Sequence, residues 1–386
     1  MKISLSNPDL TSYEKKLVMQ VLDGPNLSLG PKLSEFENEF SQYLGSKYAV
    51  AVNSGTSGLH LSMKAIKLKE NDEVITTPFS FIASANCILY EKGTPVFVDI
   101  DPETLNIDIN KIEEKITSKT KAILPVHIFG QPCDMPKILS IARKYQLFVI
   151  EDACEAIGAE YLTNNCKPGT LASKKNHYKK IGTFGACGVF AFYPNKQITT
   201  GEGGIIVTDN KKIALLCKSL RNQGRSENGK WLQHERLGFN YRISDLNCAL
   251  GIAQIKRIDE ILNKRKRVAQ WYNERLQNIE QIKLPSERSD GKISWFVYVV
   301  RLNDDFNQED RDKIIEKLLE TGIACNCYFP PIHLQPLYKK MFKYKKGDFP
   351  ITEYVAARTI ALPFYSNMKE EQVDYVCDKL IQIIKD

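Results

Sequence analysis

The stretch Ala186 to Thr208, ACGVFAFYPNKQITTGEGGIIVT, sets one lysine, Lys196, on a short non-helical connector between two strand-like apolar runs, Gly188 to Phe192 and Gly204 to Thr208. An ammonium held among apolar neighbours loses hydration, its pKa falls, and the neutral amine can form a Schiff base with an aldehyde. Taken alone, a lysine on a turn is more often simply solvated. Two other stretches change its meaning. The apolar run Leu147 to Ile150 ends in Glu151-Asp152-Ala153-Cys154-Glu155. Carboxylates at that point sit where open α/β sheets bind ligands. Asp152 there can hold a proton on a heteroaromatic nitrogen, which is what makes a pyridoxal ring an electron sink; the alternative is a solvated aspartate opening a loop. After the run Tyr48 to Val52 comes Asn53-Ser54-Gly55-Thr56-Ser57-Gly58 and then a small-residue helix, Leu59 to Ile66. Backbone N–H groups at such a helix start suit a phosphate, although the same residues also make an ordinary N-capping turn.

These groups need a frame, and the chain supplies an alternating one. Helical spacing of Leu33, Phe36, Phe40 and Leu44 precedes the first strand. Strand-like Glu73 to Thr76, Pro95 to Val98 and Ala122 to Val126 alternate with helix-like Phe81 to Tyr90, Asn110 to Ile116 and Met135 to Tyr145. Short strands that are apolar on both faces, with helices between them, predict a doubly covered, mostly parallel α/β sheet. A helix over Lys211 to Leu220 follows, then a polar connector to Gly238-Phe239-Asn240-Tyr241-Arg242. From Ser244 a single long helical pattern extends to about Ile279. The remainder, with a strand over Trp295 to Arg301 and helices over Asp310 to Thr321 and Glu370 to Lys385, reads as a smaller α+β unit. The expected domains are residues 1–250 and 251–386. Between the last helices lies YFPPIHLQPLY, Tyr328 to Tyr338, in which His333 is either a packed histidine or a substrate contact. The lysine-rich stretch 162–183 is expected to be a solvated basic loop, or one that steers anionic phosphates.

Composition narrows the classes. The 386 residues are 43% apolar and 26% charged, enough for one large core and a second smaller one. The opening MKISLSNPDL has no apolar h-region, and no run approaches the ~18 apolar residues of a spanning helix, so the expectation is a cytoplasmic protein with no membrane role. Ten scattered cysteines, with no CxxC pair, read as reduced thiols and not as a metal site. A net charge of +7 without an arginine-rich arm argues against nucleic acid.

With SGTSG, EDACEA, YPNK followed by TTGEGG, and GFNYR in this order, the sequence resembles the DegT/DnrJ/EryC1/StrS family of pyridoxal-phosphate sugar aminotransferases, from about Pro31 to the last helix. FIASAN, PVFVDIDPETLNID and LPVHIFGQPCDM look closest to its perosamine synthase branch, which transfers an amino group from glutamate to C4 of GDP-4-keto-6-deoxymannose. The resemblance implies an aspartate aminotransferase-like fold (fold type I) and pyridoxal 5'-phosphate as cofactor. It implies Lys196 as the covalent anchor and proton carrier, Asp152 as partner of the ring nitrogen, and Glu155 beside the phenolic oxygen. Thr56 and Ser57 match the phosphate site, Phe81 the residue on the ring face, and Asn240 one that reaches the cofactor phosphate of a neighbouring subunit. A homodimer with shared active sites is thereby implied, with Arg242 and His333 as substrate contacts. L-Glutamate and a nucleotide-linked keto sugar are the implied substrates, turned over in ping-pong fashion.

Two departures from the family pattern stand out. Ala191 occupies the place of a phosphate-binding serine five residues before the lysine, removing a hydrogen bond worth on the order of 1 to 3 kcal/mol if nothing replaces it. The basic loop Asn164 to Lys180 is longer than is typical. A C3 aminotransferase, or one acting on a UDP- or dTDP-linked sugar, shares every motif named. A nicotinamide enzyme would need GxGxxG between strand and helix, which FGACG and TGEGG do not provide. A non-catalytic binding protein would have no use for Lys196, Asp152 and Glu155 together. Relatives that dehydrate a sugar carry histidine in place of Lys196.

Overall fold

The computed structural model describes residues 1–163, 177–226 and 232–385. Helix α1 (Ser12–Leu22) begins with a capping box between Thr11 and Glu14, and α2 (Pro31–Leu44) opens on proline, whose missing N–H is not needed at a first turn. Then come β1 (Tyr48–Val52), α3 (Gly55–Ala65), β2 (Glu73–Thr76), α4 (Ala83–Leu89), β3 (Thr94–Phe97), β4 (Thr120–Ile123), α5 (Met135–Tyr145) and β5 (Phe148–Asp152). A hairpin of β6 (Glu160–Thr163) and β7 (His177–Lys180) precedes β8 (Cys187–Ala191), β9 (Gly204–Thr208) and α6 (Lys211–Arg221). Helices α7 (Asp245–Lys256) and α8 (Ile258–Leu276) lead to β10 (Ile282–Lys283), β11 (Gly291–Lys292), β12 (Tyr298–Leu302) and α9 (Gln308–Glu320). The chain closes with α10 (Pro336–Phe342), α11 (Pro350–Ala356), β13 (Thr359–Leu362) and α12 (Glu370–Lys385).

Seven strands form the central sheet in the order β1-β9-β8-β5-β4-β2-β3. All run parallel except β9, which is antiparallel to both of its neighbours, β1 and β8. The mostly parallel α/β sheet expected from the alternation is the one observed. Successive residues feed two cores: Val50, Val52, Val189 and Ile206 pack on one face, Ala49, Ala51, Phe190, Ile205 and Val207 on the other. That double burial is why these strands lack polar alternation. A separate core gathers β12, β13, α9 and α12 around Tyr272, Tyr298, Leu318, Ile360 and Leu380. Helix α8 passes from one core to the other, since Ile258 and Ile261 pack with the sheet whereas Val268 and Leu276 pack with the C-terminal strands.

Three expectations need correction. The single long helix is two, because Arg257 leaves helical geometry at φ −106°, ψ 8°. Its guanidinium is drawn to Glu14 at 2.6 Å and Asp9 at 3.2 Å, tying the N-terminal segment to the break. The helix expected over Asn110 to Ile116 is two single 3-10 turns, Ile109–Lys111 and Glu113–Lys115, too short a stretch to pay the nucleation cost of an α-helix. The basic loop is not loop throughout: residues 160–163 pair with 177–180, and β11 completes a three-stranded sheet, β11-β6-β7. Residues 164–176 of that loop lie outside the described residues.

Phe40 is fully buried, with ring centroids of Phe190, Phe192 and Phe36 at 5.3, 5.5 and 6.0 Å. This edge-to-face cluster locks α2 onto β8 and onto the connector that follows it. Phe40→Ala is expected to lower stability by about 3–5 kcal/mol, read as a shift of the denaturant midpoint.

Candidate active site

Because β9 reverses between β1 and β8, strands β1, β2, β5 and β8 all end at one edge of the sheet. The turn 53–58 leaves β1 there, Phe81 and α4 follow β2, Asp152 terminates β5, and Lys196 follows β8. One architectural fact thus gathers residues that lie up to 140 positions apart (196 less 56).

Lys196 is 13% exposed. Its Nζ lies 3.5 Å from Glu155 Oε1 and 3.8 Å from the centroid of the Phe296 ring. The connector carrying it is pinned at several points: Lys196 N–H donates to Tyr193 O, Thr200 N–H to Phe192 O, and Thr199 N–H to Gln254 Oε1. Gln197 Nε2 donates to Glu155 O at 2.7 Å, so the lysine's neighbour also fixes the acid's backbone.

The acids of EDACEA meet three different fates. Glu151 is fully buried and accepts from the N–H groups of Gly182, Phe184 and Gly185, with His127 Nε2 at 3.3 Å; it organises backbone. Asp152, also buried, accepts from Ser84 Oγ at 2.7 Å on Oδ2 and from Cys154 N–H at 3.2 Å on Oδ1. Glu155 accepts from Phe129 N–H at 2.8 Å, an amide aimed by a left-handed backbone at φ 53°. Burial pushes the Glu155 carboxyl above its ordinary pKa, against the opposing pull of Lys196 and the Phe129 amide.

Ser54 caps α3, receiving Ser57 N–H at 3.1 Å, and Ser57 Oγ donates to Asn53 Oδ1 at 2.7 Å. The amide and hydroxyl proton of Ser57 are thus spent inside the turn, and the free helix-start amides are those before it, at Gly55 and Thr56. A Cβ on Gly55 would come within 2.6 Å of the Ala191 methyl and 3.1 Å of Cys154 Sγ, so glycine is required for this approach. Gly204 is under the same constraint, its would-be Cβ falling 2.5 Å from Ser54 O.

The remaining expected residues divide. Phe81 is 61% exposed and free to present its ring. Asn240 is exposed beside Tyr241, whose carbonyl accepts from Asn53 N–H, so this segment borders the 53–58 turn of its own chain. Arg242 Nη1 donates to Asn222 Oδ1 at 3.2 Å. His333 resolves to the packed alternative: its side chain is fully buried, Nε2 is 2.9 Å from Glu353 Oε1, and Phe349 lies 4.7 Å away ring to ring. Its other ring nitrogen, Nδ1, is buried without a hydrogen-bond partner.

Sequence reasoning missed several neighbours. Tyr328 arrives from the C-terminal unit and stacks over Phe129 with ring centroids 6.5 Å apart, and burial raises its pKa. Asn195 Oδ1 is a buried acceptor with no hydrogen-bond partner, next to Lys196 in the chain. Phe129, Phe296 and Ser84 complete the set. Only Ser84 carried a local signal: Ser80 and Ser84 stand one helical turn apart in an otherwise apolar stretch.

Residues 8–381 match the DegT/DnrJ/EryC1/StrS aminotransferase family. An uncharacterized protein of Methanocaldococcus jannaschii, MJ1066, is 41% identical over 98% of this chain and 97% of its own. GDP-perosamine synthase of Caulobacter vibrioides is 38% identical over 99% of this chain and 98% of its own. Among solved structures, Helicobacter pylori PseC, an aminotransferase involved in the biosynthesis of pseudoaminic acid, superposes with a TM-score of 0.92 at 28% identity, covering all of both chains. Among the described residues no helix is long and apolar enough to cross a membrane, and no cluster of side chains could hold a metal ion.

The raised Glu155 pKa has a definite sign in folding. A carboxyl with a higher pKa folded than unfolded stabilises the fold below its unfolded pKa, and that contribution is lost as pH rises through the folded value. Glu155→Gln should therefore flatten the pH dependence of apoprotein stability above the ordinary glutamate pKa of about 4.3, relative to the parent, in denaturant titrations. An unchanged pH slope would show that the parent carboxyl does not titrate abnormally.

Proposed function

The chain belongs to the DegT/DnrJ/EryC1/StrS aminotransferase family, and on that premise we propose that it transfers an amino group from L-glutamate to the C4 keto group of a nucleotide-linked 4-keto-6-deoxyhexose. The broader activity, a nucleotide-sugar aminotransferase dependent on pyridoxal 5'-phosphate, follows from the family and from relatives along the full chain. The choice of C4 rests on the likeness to GDP-perosamine synthases from three organisms, at 33–38% identity.

When bound, pyridoxal 5'-phosphate supplies an aldehyde that carries the amino group and a ring that delocalises charge. The residues present fit it. An amine, a buried carboxylate and a glycine-bounded helix start share one sheet edge, and Asn195 Oδ1 is an acceptor still lacking a donor. Lys196 Nζ is the group to anchor the aldehyde and then to carry the proton. Asp152 is placed to keep the ring nitrogen protonated. Glu155, held by the Phe129 amide, orients Lys196 and is the acid to face the ring oxygen. Gly55 and Thr56 offer amides to the phosphate, Ala191 adds no hydroxyl, and Phe81 is free to cover a ring face. The single observation carrying this reading is Lys196 Nζ 3.5 Å from Glu155, at the edge where Asp152 ends its strand.

We further propose a homodimer in which Asn240 reaches the partner's cofactor phosphate. Its support is the exposure of Asn240 together with the exposed apolar side chains of Leu27, Leu29, Phe81 and Leu237. A cytoplasmic setting suits the nine described cysteines, all of them free thiols.

The purified protein loaded with cofactor is expected to be yellow and to bleach with L-glutamate. Lys196→Ala should abolish the lysine-linked band and lower turnover by at least roughly 10³-fold. Mass analysis after incubation with 4-keto and 3-keto sugars linked to GDP, UDP or dTDP then decides the acceptor. A 3-amino product alone would overturn the C4 assignment.

A further inference from the structure

Asp152 and Lys196 are accounted for, yet the first protein group to touch Asp152 belongs to neither motif. Ser84 Oγ lies 2.7 Å from Asp152 Oδ2, and Ser80 Oγ lies 2.8 Å from Ser84 Oγ. Both serines are at least nineteen-twentieths buried, at 1% and 4% exposure, so neither hydroxyl exchanges partners with bulk solvent. Chemistry fixes the direction of the chain even though hydrogen positions are not observed. An ionised carboxylate only accepts, so the Ser84 proton points at Asp152. The Ser84 lone pair then takes the Ser80 proton, and the order is Ser80 to Ser84 to Asp152.

We infer that Ser84, supported by Ser80, is a positioning residue that holds the Asp152 carboxylate in the one orientation from which it can face a cofactor ring nitrogen. This rests on the aminotransferase reading above. A hydrogen bond donated to a carboxylate is shorter and stronger than one between neutral groups, so it fixes the carboxylate's orientation firmly. In a buried site the effect is large, because no water replaces the missing donor. Cys154 also meets Asp152, through its N–H at 3.2 Å and through its thiol. The titratable groups that sense Asp152 are Cys87 on α4, Cys133, Cys154 and Glu155. Burial raises the pKa of all three thiols, so they stay neutral near pH 7 and supply no compensating charge. Geometry also locks the rotamer: Asp152 is held on Oδ1 and Oδ2 by donors from two different segments, which leaves its carboxylate one orientation.

The test uses cofactor-loaded protein and three variants. In Ser84→Ala, single-turnover bleaching by L-glutamate should slow roughly tenfold to hundredfold, the effect of losing a hydrogen bond to a charged group. The pH midpoint of the visible band should also move upward. With the Asp152 carboxylate free to turn away, the ring nitrogen would hold its proton less well, the ring would withdraw less charge, and the lysine-linked nitrogen would keep its own proton to higher pH. Ser84→Thr keeps the donor and should stay within about twofold of the parent. Ser80→Ala, which removes only the supporting bond, should fall between the two. Should Ser84→Ala fail to fold, Ser84→Cys, nearly isosteric but a weak donor, carries the same expectation. An unmoved pH midpoint with parental bleaching in the alanine or cysteine variant overturns the role of Ser84. Parent protein that binds no pyridoxal 5'-phosphate overturns the aminotransferase reading itself, so the two failures are distinguishable.

Discussion

The structure depends on holding an amine and two carboxyl groups close together in a place that largely excludes water. Removing such groups from solvent costs several kcal/mol each, and attraction between them offsets that only where each remaining lone pair finds a donor. The protein meets this requirement with backbone and short side chains: the Phe129 amide on Glu155, and the Cys154 amide and Ser84 hydroxyl on Asp152. Glu155 shows how nearly balanced the arrangement is, since burial raises its pKa even with Lys196 3.5 Å away. Such residual imbalance is common where a site must accept a charged guest.

Supplying those donors constrains the fold at a distance. Phe129 can aim its amide at Glu155 only from a left-handed backbone, and the following Gly130 lies so close to Ser294 O that a Cβ would fall 1.8 Å from it. Ser294 in turn accepts from Gln197 Nε2, the neighbour of Lys196. Strand β8, the segment before β12 and the turn after Val126 are therefore interlocked around one carboxylate. Tyr328, reaching in from beyond β12, stacks on the Phe129 ring.

Local periodicity made the sheet and its helices readable: β1, β2, β9, α2, α5 and α12 lie where apolar spacing puts them, because each buries a continuous face. The reversal of β9 was invisible, since Gly204 to Thr208 is apolar on both faces whichever way it runs. The break at Arg257 was hidden too, as its cause is a pair of acids, Asp9 and Glu14, some 240 residues earlier. Lys196, Asp152 and Glu155 could be singled out in the sequence because they stand at or within a few residues of strand ends. Tyr328 and Phe296 could not, for their roles exist only once the C-terminal unit is folded against the sheet. His333 shows the opposite limit: a polar residue in a proline-rich loop has no local mark of burial, and its Glu353 partner lies 20 residues on.

The run EDACEA makes the reason for these limits concrete. Three carboxylates within five residues are chemically alike, yet strand alternation sends Glu151 to the face opposite Asp152. There it satisfies three amides and a histidine and has no ligand to meet. Asp152, at the last position of β5, looks out from the sheet edge, and Glu155 is carried by the ensuing turn toward Lys196. Residue type therefore names the available chemistry, but the parity of the strand decides which acid performs it. A one-residue slip of β5 that carried Asp152 into the place of Glu151 would bring Ala153 to the end of the strand and leave that edge without its carboxylate. The 182–185 turn is thereby tied, through Glu151, to the position of the acid that we propose faces the cofactor ring.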